Sequence, residues 1–158
     1  MSQLRQGGID PLEIKAQTGT SYPDPYRETV VARRKRVLGD TFGLSRYGVN
    51  LVELSPGTWS SQRHWHTHED EFVFVVSGEL TLITDAGEQI LTTGMVAGFP
   101  AGDSNGHHLI NKSDEVASYL EIGDRNPQDG AFYPDIDLLY KVNEEGEHEF
   151  TNRDGVPY

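Results

Sequence analysis

A run of histidines with one carboxylate constrains this chain more than any other feature of its sequence. His64, His66 and His68 fall within five residues, and Glu71 comes directly before an apolar run at residues 72–76. Alternate side chains of a β-strand point to the same face, so His64 and His66 would aim at one point. The apolar run predicts the next strand, and a short turn between the two strands would bring Glu71 beside both imidazoles.

A second pair of histidines, His107 and His108, also adjoins strand-like sequence. Neutral imidazole is the commonest metal ligand among side chains, so the two histidine clusters together predict a metal site. The chain contains no cysteine, which leaves nitrogen and oxygen ligands and excludes a thiolate zinc site. His107 and His108 would point to opposite faces of one strand, and either of them is a candidate ligand.

The first histidine cluster resembles the first motif of the cupin superfamily, which is written G-x5-H-x-H-x3,4-E-x6-G. The matching residues are Gly57, His64, His66, Glu71 and Gly78. One departure is present, because six residues and not five separate Gly57 from His64. This departure lies in a loop and leaves the spacing between the candidate ligands intact.

Residues 94–111 resemble the second cupin motif, which is written G-x5-P-x-G-x2-H-x3-N. The matching residues are Gly94, Pro100, Gly102, His107 and Asn111. Four residues, not two, separate Gly102 from His107, whereas the spacing from His107 to Asn111 is kept. The motifs occur in the expected order, and the resemblance covers residues 45–123.

The resemblance implies an all-β fold, the cupin double-stranded β-helix or jelly-roll barrel. Short apolar or alternating segments, spaced by roughly eight to twelve residues, independently indicate a sandwich or barrel. The barrel is expected over residues 29–123, after an extended N-terminal arm at residues 1–28. Residues 124–158 are expected to form a C-terminal arm of the same domain, with one short helix near residues 135–142. Strands are expected at residues 29–38, 46–54, 61–67, 72–76, 79–84, 88–91, 95–99, 107–111 and 116–122.

The resemblance also implies one divalent metal ion with four ligands: His64, His66, Glu71 and His107. Three imidazoles and one carboxylate suit zinc, iron, manganese or nickel, among which the sequence does not choose. Tyr119 and Glu121 share one face of the last predicted strand. They are acid–base candidates if that face is inward and ordinary surface residues if it is outward.

Two other side chains of the first motif are expected to stay away from the metal. His68 falls in the predicted turn, which favours an exposed loop residue. Trp65 alternates with His64 and His66, so it should point away from them and pack. His108 is expected to point away from His107, but it remains the alternative ligand.

A formal net charge of −12 argues against a general nucleic-acid surface, which needs a basic stripe. The basic run at residues 33–36 is interpreted as a solvated strand or arm that pairs with nearby acids, with a phosphate or nucleic-acid contact as the alternative. The N-terminal residues lack the apolar core of a signal peptide, and the longest apolar run has five residues. A cytoplasmic protein without a membrane span is therefore expected.

These features favour a metal-dependent enzyme that acts on a small polar metabolite, with isomerase, epimerase or dioxygenase chemistry. The alternative is a non-catalytic small-molecule-binding or sensor protein that keeps its metal. Neither hypothesis requires a nucleic-acid or membrane partner. A homodimer is expected through the N-terminal arm, which carries the apolar residues Leu4, Ile9, Leu12, Ile14, Tyr22 and Tyr26. The competing expectation is an arm that packs on its own barrel or is disordered.

Overall fold

The computed structural model of the protein describes residues 7–158. Within this range the chain is almost entirely β-structure, which confirms the predicted fold class. The strands in chain order are β1 (Gln17–Thr18), β2 (Arg34–Val37), β3 (Tyr47–Leu54), β4 (Trp65–His66), β5 (Glu71–Ser77), β6 (Glu79–Thr84), β7 (Gly87–Thr92), β8 (Val96–Phe99), β9 (His108–Ile110), β10 (Ala117–Asp124), β11 (Ala131–Tyr133), β12 (Leu138–Val142) and β13 (His148–Thr151). A 3-10 turn at Pro11–Glu13 and the short helix α1 (Leu38–Thr41) are the helical elements of that range.

The strands form three antiparallel sheets. The largest has the order β1-β2-β3-β10-β5-β8, so β10 lies between β3 and β5. A three-stranded sheet has the order β7-β6-β9, and a four-stranded sheet has the order β13-β12-β11-β4. Neighbours in the sheets are mostly distant in sequence, which is why long-range contacts position the candidate ligands.

Strand β5 shows how the alternating pattern builds the core. Its inward side chains, Val73 and Val75, are 6% and 0% exposed, whereas the outward Phe72 and Phe74 are 41% and 38% exposed. Successive residues of a strand face opposite sides of the sheet, so one run of apolar residues supplies both faces. Each fully buried aliphatic side chain contributes about 1.5–3 kcal/mol. The main core cluster comprises Val52, Leu54, Val73, Val75, Leu80, Leu82, Leu91, Leu109, Ala117 and Tyr119.

Gly78, the last residue of the first motif, has a structural reason to be glycine. It joins β5 to β6 with φ of 78°, a left-handed conformation that side chains with a Cβ rarely adopt. A Cβ at this position would lie 2.9 Å from Cα of Ala117. Both the backbone turn and the close approach of β10 therefore require the missing side chain.

From β1 onward, the N-terminal arm packs on its own barrel. Strand β1 pairs with β2, and Tyr22 and Val30 are buried in a second core cluster with Tyr133 and Leu138. Leu4, which the dimer prediction also used, falls outside the described residues. The predicted strand at residues 29–38 is shorter than expected, because a turn at residues 28–32 precedes β2.

The prediction of a helix near residues 135–142 is wrong. This segment contains a turn followed by β12, which pairs with β11 on one side and β13 on the other. Pairing at both edges satisfies the backbone donors and acceptors that a single helical turn would leave open. Because β11 also pairs with β4, the C-terminal segment is joined to the histidine motif itself. We propose that residues 7–158 form a single domain.

The strand predicted at residues 61–67 is also mostly irregular. Only Trp65 and His66 form β4, and His64 makes an isolated bridge to His107. The backbone of this segment forms isolated hydrogen bonds to residues distant in sequence, such as those of His64 to His107 and of Thr67 to Gly130, and not a continuous strand ladder. No helix within residues 7–158 is long and apolar enough to cross a membrane.

Candidate metal centre

Two chain segments that are far apart in sequence bring the predicted ligands together. The amide of His64 donates to the carbonyl of His107 at 3.2 Å, and the amide of His107 donates back at 2.8 Å. Strand β4 places His66 next to His64, and the first residue of β5 is Glu71. His64, His66, Glu71 and His107 all line one cavity of about 240 Å³.

Possible metal-ligand atoms of three residues converge within this cavity. The distance between Nε2 of His64 and Nε2 of His66 is 3.1 Å. Oε1 of Glu71 lies 3.3 Å from Nε2 of His66, and Oε2 lies 3.5 Å from Nε2 of His64. All three residues are able to place one ligand atom within 4.8 Å of the others. Their side chains are mostly buried, so solvent does little to separate these groups.

The second nitrogens of the two imidazoles identify the tautomers. Nδ1 of His64 lies 2.8 Å from the carbonyl oxygen of Gln62, and Nδ1 of His66 lies 2.6 Å from Oδ2 of Asp129. Both Nδ1 atoms therefore carry hydrogen and donate, which leaves both Nε2 lone pairs facing the Glu71 carboxylate. Three acceptors at this separation require a positive charge between them. A divalent cation supplies it, so the donor set fits a metal ion; without one, an extra proton must sit on an imidazole.

The pKa shifts agree with this arrangement. Burial lowers the pKa of His66, but the Asp129 and Glu71 carboxylates raise it more strongly, to about 10. Burial raises the pKa of Glu71, yet the imidazoles of His107, His64 and His66 hold it well below its ordinary value. In the metal-free protein His66 therefore carries the extra proton beside an ionised Glu71.

His107 contacts the same carboxylate from another side. Its Nε2 lies 2.5 Å from Oε2 of Glu71, and its ring stacks on Phe99 with the centroids 3.5 Å apart. Burial is the main reason that the pKa of His107 is lowered. Nδ1 of His107 is buried and finds no hydrogen-bond partner among the described residues. The ring is thus held by stacking and by Nε2, the nitrogen that faces the cluster.

His108, the alternative ligand, has other partners. Its Nδ1 donates to the carbonyl of Ser61 at 2.9 Å, and its ring packs edge-on against Trp59. Burial lowers its pKa to about 4. It nevertheless lines the same cavity as His107. The alternation of side chains along a strand predicted opposite faces for the two residues, but β9 begins only at His108, so His107 is not part of that strand.

The remaining residues of the first motif lie as expected. His68 is exposed and bonds to the neighbouring Thr67 hydroxyl at 2.8 Å. Trp65 packs against Phe132 of β11, with the ring centroids 5.7 Å apart. Neither side chain is one of the donors that converge on Glu71.

The face of β10 that carries Tyr119 and Glu121 is the inward one, and both residues line the cavity. Oε2 of Glu121 lies 2.9 Å from Nζ of Lys35 and 3.1 Å from Nδ2 of Asn50. Burial raises the pKa of Glu121, but the positive charges of Lys35 and Arg33 together outweigh it, so the net pKa is lowered. Burial raises the pKa of Tyr119 well above its ordinary value, so this phenol keeps its proton.

The cavity wall also contains residues that the motifs do not identify. Tyr22 from the N-terminal segment and Tyr133 from β11 line it, and their rings pack edge to face with the centroids 5.8 Å apart. Asp129 does not line it but bonds to His66, which lies 63 positions earlier in the sequence. In the sequence Asp129 stands before a glycine in a turn-like segment, and no local pattern ties it to a histidine so far away.

Comparisons with known proteins agree with the fold and the cluster. A model of the cupin domain matches residues 50–123. A sugar phosphate isomerase from a cupin superfamily, from Silicibacter pomeroyi, is 42% identical with a TM-score of 0.90, and the alignment covers 96% of each chain. A putative sugar phosphate isomerase from Acidithiobacillus ferrooxidans is 31% identical with a TM-score of 0.72 over 80% of each chain. No curated protein sequence matches the chain.

A more distant structure extends the likeness of the fold alone. The polyketide cyclase RemF from Streptomyces resistomycificus is 19% identical with a TM-score of 0.60, and the match covers 76% of this chain and 80% of that one. The family match and the 42% identical relative together show that the chain belongs to the cupin superfamily. Its fold is the cupin jelly roll that the two motifs predict.

Proposed function

We propose that this protein is a metal-dependent enzyme that isomerises a small phosphorylated sugar. The observation that carries the proposal is the convergence of His64, His66 and Glu71 in a cavity that also contains the partly buried carboxylate of Glu121. The names of the two relatives above 30% identity supply the reaction class and the phosphorylated substrate. An ion-binding donor set and an acid–base group in one cavity are what such an enzyme needs.

The residues that would hold the ion are His64, His66, Glu71 and His107. Three nitrogens and one carboxylate oxygen suit zinc, iron(II), manganese or nickel. A divalent ion held there supplies Lewis acidity, which polarises a carbonyl oxygen of the substrate. The protein holds the ligand nitrogens in the required tautomers through the Gln62 carbonyl and the Asp129 carboxylate.

Glu121 is our candidate for the base that moves the proton. An aldose–ketose isomerisation moves a proton from the hydroxyl-bearing carbon to the adjacent carbonyl carbon, while the proton of that hydroxyl passes to the carbonyl oxygen. Lys35 and Asn50 both bond to Oε2 of Glu121, which leaves Oε1 for the substrate proton. The lowered pKa keeps this carboxylate ionised at neutral pH. Tyr119, with its raised pKa, serves as a hydrogen-bond donor and not as a base.

The test is a turnover screen of phosphorylated aldoses and ketoses with the metal-loaded protein. Glu121→Gln keeps the size of the side chain but removes the proton acceptor, so kcat should fall by about 10²- to 10⁴-fold. Glu88→Gln is the matched control, because Glu88 is an exposed carboxylate paired with Lys112 outside the cavity.

Full turnover in the Glu121→Gln variant would reject Glu121 as the base. If the metal-loaded wild-type protein binds phosphorylated sugars but converts none of them, the isomerase assignment fails. The non-catalytic binding or sensor protein then becomes the better description.

A further inference from the structure

The four basic residues at positions 33–36 do not share one role. Three of them pair with carboxylates, as expected, but Arg36 is buried and not solvated. The ion pairs are Arg34–Glu53, Lys35–Glu121 and Arg36–Glu53. Arg33 makes no ion pair within residues 7–158, and its Nη1 donates to the carbonyl of Ser60 at 2.5 Å. Arg33 is therefore a cation that forms no ion pair with the described residues, although its charge helps to lower the pKa of Glu121.

Arg33 lines the same cavity as the candidate metal centre. No other lysine or arginine of the described chain lines it. A guanidinium has five N–H donors, of which the Ser60 carbonyl uses one. The hydroxyl groups of Thr20, Ser21 and Ser61 belong to the same wall. In a protein with a net charge of −12, a single unpaired cation within a cavity favours an anion there.

We propose that Arg33 binds the phosphate group of a ligand whose other end lies at the candidate metal centre. The proposal rests on the proposed function and deepens it, because it names the residue that selects a phosphorylated sugar. The planar guanidinium group can donate two parallel hydrogen bonds to two oxygens of a phosphate. Such charge-assisted hydrogen bonds are stronger than those between neutral groups. The nearby hydroxyl groups provide donors for a third phosphate oxygen, which a carboxylate does not have.

The test uses inorganic phosphate as the probe and calorimetry on the metal-free, full-length protein. Arg33→Gln should weaken phosphate binding at least about tenfold, because it removes a charge-assisted hydrogen bond. Arg34→Gln removes the same charge one residue away, where the side chain is exposed and pairs with Glu53. This control should bind phosphate as the wild-type protein does. Arg33→Lys keeps the charge and should retain part of the affinity.

Several results would overturn the assignment. Equal phosphate affinity in the Arg33→Gln protein, or an equal loss in the Arg34→Gln protein, removes the specific role of Arg33. Acetate that binds as tightly as phosphate rejects the phosphate class. Binding only after metal loading places the anion on the ion, and no binding to the wild-type protein rejects the subsite. None of these measurements needs turnover, so the subsite fails or stands separately from the isomerase assignment.

A separate set of contacts concerns Asp129, which is 4% exposed. Its Oδ2 accepts from Nδ1 of His66 at 2.6 Å. Its Oδ1 accepts from the backbone amides of His68 and Glu69, at 2.8 and 3.1 Å. One oxygen of this carboxylate therefore orients the imidazole, and the other fixes the loop that follows it.

We infer that Asp129 is a positioning residue that keeps Nε2 of His66 available for the metal ion. It lies outside the segment that the cupin domain model matches, so the motifs do not supply it. A carboxylate that accepts from the second nitrogen of a histidine fixes the tautomer and the ring orientation of that ligand. This inference rests on the proposed metal centre but not on the reaction.

Asp129→Asn separates the two roles of this side chain. Its Oδ1 still accepts from the His68 and Glu69 amides, whereas its Nδ2 donates where Oδ2 accepted. His66 must then accept on Nδ1 and carry hydrogen on Nε2, the nitrogen that faces Glu71. Competition with a chelator should show about 10- to 100-fold weaker zinc binding. Asp124→Asn is the control, because Asp124 also accepts from a loop amide, that of Asp70, but makes no bond to His66, and this variant should bind zinc normally.

A nitrogen NMR spectrum of the zinc-loaded protein gives a readout that a merely structural role would not move. The wild-type His66 ring should carry hydrogen on Nδ1 and bind zinc through Nε2. Zinc binding through Nδ1, or unchanged zinc affinity in the Asp129→Asn protein, overturns the positioning role alone. A wild-type protein that binds no zinc or other divalent ion rejects the metal centre, and this inference with it.

Discussion

The motif-bearing segment and the two flanking segments build different parts of one cavity. Residues 50–123 carry the four candidate metal ligands: His66 on β4, Glu71 on β5, and His64 and His107 across an isolated bridge. Residues 7–37 supply Arg33 of the cavity wall, and residues 124–158 supply Tyr133 of that wall and Asp129, whose carboxylate bonds to His66. The metal chemistry thus comes from short, spaced motifs, whereas the wall and the orientation of a ligand come from contacts that cross the whole chain. Substrate choice within this fold should therefore depend on the flanks.

Among the variants that distinguish the two regions, we expect the largest effect from replacing the candidate metal ligands. Replacing His64 and His66 together with Ala should abolish stoichiometric metal, because two of the four candidate ligands are lost. Metal analysis of the purified protein measures this directly. The ion should also stabilise the wild-type fold, by about 2.7 kcal/mol at a concentration 100 times its Kd. The double variant should lose this increase in the free energy of unfolding.

His68→Ala is the matched control for the double variant. His68 belongs to the same segment but is exposed, so its removal should leave the metal content unchanged. A double variant that retains full metal would contradict the ligand assignment. Loss of metal in the His68 variant would show instead that the loop conformation is what matters.

The next largest effect should be that of pH on metal affinity. Ligands must lose their protons to bind, and the pKa of His66 is raised to about 10 in the metal-free protein. The ion must therefore displace a proton at any pH below that value, and affinity should fall about tenfold for each unit of decreasing pH. His107 has a lowered pKa, so its protonation adds to the loss only at lower pH. Chelator competition across the range around ~6.5 measures the slope. An affinity that stays flat would argue against imidazole ligands.

The same division explains what the sequence predicts and what it does not. His64, His66 and Glu71 are close in sequence, so strand alternation and one turn are enough to bring them together. Which face of β10 points inward could not be predicted without its register with β3 and β5. That register places Tyr119 opposite Val52 and Val75. Asp129 meets His66 only because β11 pairs with β4. The helix predicted near residues 135–142 failed for a similar reason, because distant strands decide the conformation there.

Asn111 belongs to the second motif, but its contacts indicate a structural role and not a role as a metal ligand. Its buried side chain donates from Nδ2 to the carbonyls of Leu54 and Glu115, each at 2.7 Å, and its Oδ1 accepts from Ser113. Asn111→Ala leaves these buried groups unsatisfied, which should cost about 1–3 kcal/mol in the free energy of unfolding. Denaturant unfolding measures the cost. Metal content should stay stoichiometric in the folded variant, and its loss without destabilisation would place Asn111 in the metal site instead.

The smallest effect on the metal centre should come from the start of the N-terminal arm. We expect a homodimer, and Leu12, which is 65% exposed, is an apolar residue that a second copy would cover. Burying it contributes about 1.5–3 kcal/mol. Deleting residues 1–13 keeps β1 and Tyr22, so the cavity and the metal content should stay intact while light scattering changes from two chains to one. A truncated protein that remains dimeric would move the interface elsewhere, and a monomeric full-length protein would end the dimer prediction.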